Sequence, residues 1–445
     1  MFLMMSSGMR KVVFVLLIVV AVSCQGGPRR GGSDGLLTIP LEEHWGDTDT
    51  LRASYYFSSV EYIPLETTDS CLVGAAPRVF FYRDTLVVAA DQTKQGLAFS
   101  RSGKFLHAIG GEGRGPREYR SARSVKINPF NATLYFPDML PGKYHRFGMD
   151  GGYLSPLIFP SDSGVRVGYL AWLDADSPVG YSPTQSMWGR APQLTFLDKE
   201  GALKHTLFRP IPIDSLMQSP STIGNQHYIT DGNLQIYMLL PQSGLLRHGI
   251  AGYGGVTTFN NQVTGGSYTT FSYEDAFFSY YDQQLFLRED FNDTLFQVTE
   301  EGLRPHVAFD FGKYHWPEES RYDAKRYGAS RSYISWVAET DRVIFFEFFT
   351  GGDTPMAYRG SYHKESQAVR LGSVKEGFYD DINGFMPLQI LAKTADDNFV
   401  GVLEPLKIRK WFEENPDKAA TLPEHLKALR NIPEEANPVV VVMRQ

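Results

Sequence analysis

The chain has 445 residues, 42 % hydrophobic and 13 % aromatic, with a formal charge of −7 from 43 basic and 50 acidic side chains. That composition carries a sizeable core and excludes global disorder, and the mild acidity leaves no basic footprint for nucleic acid. The 24 Tyr and 30 Phe favour strands over helices.

Residues 1–24 read as a targeting segment rather than as fold. Arg10 and Lys11 form a positive start, and Val12–Val22 is an apolar run too short to span a bilayer comfortably. The segment ends in small residues before Cys24, a pattern that resembles a bacterial lipobox whose thiol is acylated, so a lipid anchor on Cys24 is expected. Cys71 is the one other cysteine and then has no disulfide partner. Residues 25–56, opening QGGPRRGGSDG, read as a flexible tether.

From residue 57 to 445 the pattern is that of a single domain of short strands punctuated by turns. Val79–Phe81, Thr85–Ala89, Gly96–Ser100 and Phe105–Ile109 are four such runs, the last two separated by the turn residues Arg101–Lys104. A second set follows at Val125–Ile127, Thr133–Phe136, Tyr144–Gly148 and Tyr153–Phe159, with Gly148–Gly151 in the place of the first turn. Looser sets cover 167–209, 268–312 and 333–371, and a sixth begins at Phe385–Ala392 and Asn398–Leu403. A unit of four strands recurring every 40–45 residues or so predicts an all-β fold, a six-bladed β-propeller of four-stranded antiparallel blades.

Two stretches break the rhythm. Residues 215–266 are rich in Gly, Asn and Thr and read as an insertion, and residues 405–436 hold two short helical patterns, PLKIRKWFEEN and PEHLKALRN. The first, with Trp411 and Phe412 on an amphipathic face, is expected to cap an open end of the ring. After the helices comes the apolar run Val439–Val442. Pairing of this run with the strand-like Val60–Leu65 would close the ring with strands from both ends of the chain and remove an exposed edge.

The segments YIPLETTDSCLVG (62–74), GKFLHAIGGEGRGPREY (103–119), FNDTLFQV (291–298), HVAFDFGKY (306–314) and the ending NPVVVVM resemble the six-bladed β-propeller lipoproteins of gut Bacteroidota, relatives of the NHL-repeat propellers. The resemblance implies the fold, export as a lipoprotein and a place in the cell envelope; it carries no catalytic residue. QGGPRR, rather than an acidic stretch, follows Cys24, which points to the periplasmic side and away from the outer surface.

Residues 110–119, GGEGRGPREY, have the texture of a phosphate-binding loop. They lack the Gly-Lys-Ser/Thr of a nucleoside-triphosphate loop and the third glycine and following helix of a dinucleotide loop, so a turn between two blades is the expected role. The connection still carries Arg114, Arg117, Arg120 and Arg123 around Tyr119. Planar guanidinium forks suit carboxylates, and these five residues are the candidate contacts for a glycan, peptide or envelope protein. Ten histidines form no metal-binding pair, Asp174–Ser177 lacks the glycine and distal glutamate of a calcium loop, and Gly-x-Ser-x-Gly is missing. No catalytic residue, metal or cofactor is assigned on these grounds. Trp172, Trp188, Trp316 and Trp336 are alternative sugar-stacking platforms. The reading is a binding protein; the alternative is a lyase or hydrolase with a site at the central channel.

Overall fold

The run Thr85–Ala90 is apolar on both sides because it serves two cores at once. Leu86, Val88 and Ala90 pack one way, and Val87 and Ala89 the other. Side chains alternate across a strand, so each face of this sheet meets a different neighbour. The same double burial recurs around the molecule, and it builds a ring.

The computed structural model describes residues 36–74, 78–90, 92–140, 142–159, 169–182, 193–207, 221–230, 233–237, 255–261, 267–272, 277–289, 292–315, 332–350 and 357–445. Blade 1 comprises Arg78–Tyr82, Thr85–Ala90, Gln95–Ser100 and Phe105–Ile109. Blade 2 has Lys126–Ile127, Leu134–Pro137, Lys143–Phe147 and Leu157–Ile158, and blade 3 has Tyr169–Trp172, Pro178–Tyr181, Leu194–Leu197 and Leu203–Leu207. Blade 4 has Phe278–Tyr281, Gln284–Arg288, Thr294–Thr299 and Gly302–Asp310; blade 5 has Ser332–Glu339, Val343–Thr350, Ala357–His363 and Val369–Ser373. In these five the strands follow chain order from the first to the last within the sheet.

Blade 6 is assembled from both ends of the chain. Ala392–Lys393 and Phe399–Leu403 are followed by Val439–Arg444, and Ser59–Pro64 is the outermost strand. Val60 faces Met443 and Ile63 faces Val440, as expected from the terminal apolar run. Successive blades are glued by separate apolar clusters, with Ile63, Val440 and Val442 of blade 6 meeting Val79, Phe81 and Leu86 of blade 1. On the other side of blade 6, Phe399, Val439 and Val441 meet Ala338, Val343 and Phe345 of blade 5. With the clusters between blades 1 to 5, the ring of a six-bladed propeller is complete.

The turns that punctuate the sequence now have a cause. Gly103, Gly151 and Gly201 occupy the same place in blades 1, 2 and 3, the turn before the last strand, with φ of +82°, +78° and +90°. Each lies against the outer strand of the preceding blade. A β-carbon would stand 2.1 Å from the Pro64 carbonyl oxygen at Gly103 and 2.5 Å from that of Ile158 at Gly201. The left-handed backbone and the tight approach both require glycine.

The N-terminal region differs from the expected tether of 25–56. Leu37–Pro40 adds to blade 4 as a fifth strand, parallel to its outer strand, with Leu37 beside Val307 and Pro40 beside Asp310. The chain then passes blade 5, where the Asp49 amide donates to the Leu371 carbonyl at 2.8 Å, and ends as the edge of blade 6. Residues 37–58 are a strap across three blades. The expected insertion contains a seventh sheet, made of Ser221–Thr230, Asn233–Tyr237, Gly255–Asn261 and Ser267–Ser272 and lying in sequence between blades 3 and 4.

Three short helices, α1 (Pro405–Glu414), α2 (Pro416–Thr421) and α3 (Glu424–Lys427), fill the connection between two strands of blade 6. They do not cap the end of the ring. Ile408, Phe412, Leu422 and Leu426 enter the cluster between blades 5 and 6. The expected strand Phe385–Ala392 is likewise reduced to Ala392–Lys393, because Asp380 takes over the local backbone: its carboxylate accepts from the amides of Ile382, Asn383 and Phe385. Among the described residues no helix is long and apolar enough to cross a membrane.

Candidate functional site

Two places answer to the sequence expectations, and the arginine connection is the first. It joins the last strand of blade 1 to the first strand of blade 2 and lies on the face of the second-to-third strand hairpins. There the Glu112 amide donates to the Lys94 carbonyl and the Arg120 amide to the Pro137 carbonyl. Its amides do not form an empty cradle. Glu118 accepts from the Gly115 amide at 2.7 Å, and Glu112 accepts from the Ala122 amide at 2.8 Å. Carboxylates of the loop occupy the donors that a phosphate would need.

Tyr119 is not a surface contact. It is fully buried, stacks on Phe136 with centroids 4.2 Å apart, accepts from the Gly96 amide and donates to the Ile109 carbonyl, both at 2.8 Å. Burial pushes its phenol up. Arg114, Arg117 and Arg120 are exposed, and the Arg117 guanidinium lies 5.1 Å from the centre of the Tyr153 ring. Arg123 is half-buried, and its carbonyl accepts from the Arg78 guanidinium at 2.7 Å, which ties the end of this connection to the channel wall. The structure therefore brings three of the four arginines to one exposed loop and separates Tyr119 from them. Cys24 lies outside the described residues.

The second place is the central channel, a cavity of about 290 Å³ bounded by the innermost strands of all six blades. Its wall is rich in aromatic rings, among them Phe80, Tyr82, Tyr169, Phe278 and Trp336. Trp336, one of the tryptophans singled out by sequence, is half-buried in this wall; Trp188 and Trp316 lie outside the described residues.

Bonds across the axis gather at the end of the channel where the first and second strands of each blade turn. The Tyr280 hydroxyl of blade 4 accepts from the Trp172 amide of blade 3 at 2.9 Å and donates to the Trp172 carbonyl at 3.1 Å. Lys393 of blade 6 reaches past blade 5 to donate to the Tyr280 carbonyl at 2.8 Å, and pairs with Asp397 at 2.5 Å. Burial lowers the pKa of this amine, and Asp397 works against that shift. Beside it, buried Glu339 holds His306 at 2.6 Å and Lys364 at 2.7 Å. Burial alone would raise the Glu339 carboxyl; the two partners outweigh it and the net shift is downward.

No sequence signal points to Lys393 or Tyr280. Each is an ordinary residue at the end of a short innermost strand, and only the repeat register, counted blade by blade, would place it at the axis. Asp174–Ser177 is a hairpin turn, with the Asp174 carboxylate accepting from the Asp176 amide at 2.8 Å. His306 and His315 bind different carboxylates, Glu339 and Asp293. Among the described residues no three His, Cys, Asp or Glu side chains stand close enough to hold a metal ion.

Six four-stranded sheets around a channel, shut by strands from both chain ends, define the six-bladed β-propeller class. The chain belongs to the family described as Domain of unknown function (DUF4934), which it matches over residues 36–444. No curated protein matches the sequence. Among solved structures, it is similar to a candidate exported protein of Bacteroides fragilis, 15 % identical with a TM-score of 0.59, over 92 % of this chain and 99 % of that one. It is also similar to a member of the DUF4221 family from Bacteroides vulgatus, 10 % identical with a TM-score of 0.43, over 87 % of this chain and 96 % of that one. The family match and the Bacteroides fragilis structure agree with the resemblance to Bacteroidota propellers, and at 15 % identity the likeness to that structure is one of fold.

Proposed function

We propose that the protein is an exported, lipid-anchored binding protein of the bacterial cell envelope, tethered through Cys24 on the periplasmic side, whose small ligand occupies the central channel. The observation that carries this reading is the aromatic cavity built from all six innermost strands. A concave, ring-lined space near the 300 Å³ scale is the usual form of a small-molecule site. The polar groups at the end where the first two strands of each blade turn are already engaged, Tyr280 with Trp172 and Lys393 with Asp397, which favours holding a ligand over transforming it. The signal-like start and the candidate exported neighbour from Bacteroides support export.

Two measurements test the reading. Metabolic labelling with a radioactive fatty acid is expected to mark the wild type and leave Cys24→Ser unlabelled; label on the variant removes the anchor from the proposal. Native mass spectrometry of the protein extracted from its own membranes is expected to retain a small molecule that is lost from Phe80→Ala and Trp336→Ala. A molecule kept equally by both variants places the site elsewhere. A second reading, an enzyme at the same channel, is favoured by one observation, the buried amine of Lys393 with its lowered pKa. Turnover of a bound compound by the wild type and none by Lys393→Met would select it.

A further inference from the structure

A separate polar cleft of about 310 Å³ lies between blades 2 and 3 on the face opposite the arginine connection, lined among others by Asn131, Thr133, Arg146, Trp172, Asp176 and Lys199. Its walls come from the hairpins Asn128–Thr133 and Leu173–Ser177 and from the turn Asp198–Ala202, all on one face of the ring. Trp172 stacks at a tilt on Tyr135, 4.6 Å between centroids, and both bound the cleft. The indole Nε1 has no hydrogen-bond partner although Trp172 is only 1 % exposed. Buried N–H donors are nearly always paired, so an orphan beside a polar cleft marks a place for an incoming acceptor.

The other groups are set for the same purpose. Arg146 is fixed by two bonds to Ser155, from Nε to the carbonyl and from a terminal nitrogen to Oγ, both 2.5 Å. A guanidinium has five N–H hydrogens, so the remaining ones are presented by a side chain already locked in place. Asn131 bridges the two hairpins by donating to the Ala175 carbonyl at 3.1 Å. Among the described residues, the Asp176 carboxylate and the Thr133 hydroxyl have no hydrogen-bonding partner of their own. The cleft therefore offers donors and acceptors together, and its cations Arg146 and Lys199 are matched by the anions Asp176 and Glu200. An anionic ligand wants donors alone and a net positive wall. A ligand whose every hydroxyl both gives and takes a hydrogen bond wants the mixture present here.

We infer that this cleft is a second binding site, which shares Trp172 alone with the wall of the channel, and that its ligand class is a small neutral saccharide. Trp172 and Tyr135 are too buried, at 1 % and 5 % exposed, to offer a ring face for stacking; it is the mixed donors and acceptors of the polar rim that suit the hydroxyls of a sugar.

The test uses the full-length protein and isothermal titration with glucose, galactose, mannose, N-acetylglucosamine and their disaccharides, with galacturonate as the charged comparison. At least one neutral sugar is expected to bind, and galacturonate more weakly. Trp172→Phe keeps a ring and deletes the orphan donor, and it is expected to weaken binding about tenfold, as is Asp176→Ala. Trp336→Ala, at a residue that lines the channel and not the cleft, is expected to leave saccharide affinity unchanged while altering any channel ligand, which separates this site from the one proposed above. Circular dichroism melts of each variant establish that it is folded. The inference is overturned if no neutral sugar binds, if galacturonate is preferred, or if folded Trp172→Phe and Asp176→Ala bind as the wild type does.

Discussion

The seam where the chain ends meet and the connection between blades 1 and 2 are both polar, turn-rich segments, and they satisfy their backbones in opposite ways. At the seam one distant side chain does the work. Asn437, 3 % exposed, donates to the carbonyls of Glu66 and Cys71 at 2.7 Å each and accepts from the Val73 amide at 2.8 Å. In the connection, Glu118 serves Gly115 three residues away, near water. A buried group whose partners lie more than 360 positions off cannot be replaced by solvent; an exposed local one can. The two segments look alike in composition and differ in what they hold.

That contrast can be broken experimentally. Deleting residues 438–445 removes the strand between Phe399–Leu403 and Ser59–Pro64 and is expected to abolish folding, giving aggregation or degradation on expression. A soluble truncated protein with wild-type melting behaviour would show that the ring does not need its closure. Asn437→Ala leaves the buried Cys71 carbonyl and Val73 amide unpaired, while the Glu66 carbonyl keeps the Cys71 thiol, and is expected to cost about 3 kcal/mol in urea unfolding.

Gly110 tests whether the connection is rigid where it meets the core. Its φ is +60°, and a β-carbon would stand 2.8 Å from the rings of Phe147 and Tyr119. Gly110→Ala is expected to cost about 2 kcal/mol, from strained backbone and displaced rings. Acid offers a different separation. The folded Glu339 carboxyl titrates below its unfolded value of about 4.3, so its contribution is complete above that value and drains away as pH falls through it. Wild type should lose stability over that range more steeply than Glu339→Gln, whereas the Asn437 amide has no titration to lose. At the small end, Arg114→Ala and Arg120→Ala are expected to change stability by less than about 0.5 kcal/mol. A larger loss would show that these arginines brace the fold rather than face solvent.

Much of the ring is legible in the sequence alone. Four-strand units, the closing pair of Val60–Leu65 with Val439–Val442 and the helices after Pro405 follow from alternation, turn residues and the apolar ending, all local signals. The strap at Leu37–Pro40 was not legible, because a four-residue strand earns its place only from an edge supplied by residues 307–310. The sites were least legible. The arginine connection stood out through composition, yet Tyr119 within it belongs to the core. Lys393, Tyr280 and Trp172 stood apart in sequence and meet only because the ring brings the ends of their strands to one axis.

The strap also has a mechanical meaning. Leu37–Pro40 lies along the rim, parallel to Val307–Asp310, so anything attached ahead of residue 36 leaves the disc at its edge rather than from either face. A pull from that side loads the Leu37–Pro40 ladder in shear, with its hydrogen bonds sharing the force, before tension reaches the Ser59–Pro64 strand that shuts the ring. Were the chain held by an anchor at that end, both flat sides would stay free, the arginine connection on one and the polar cleft on the other.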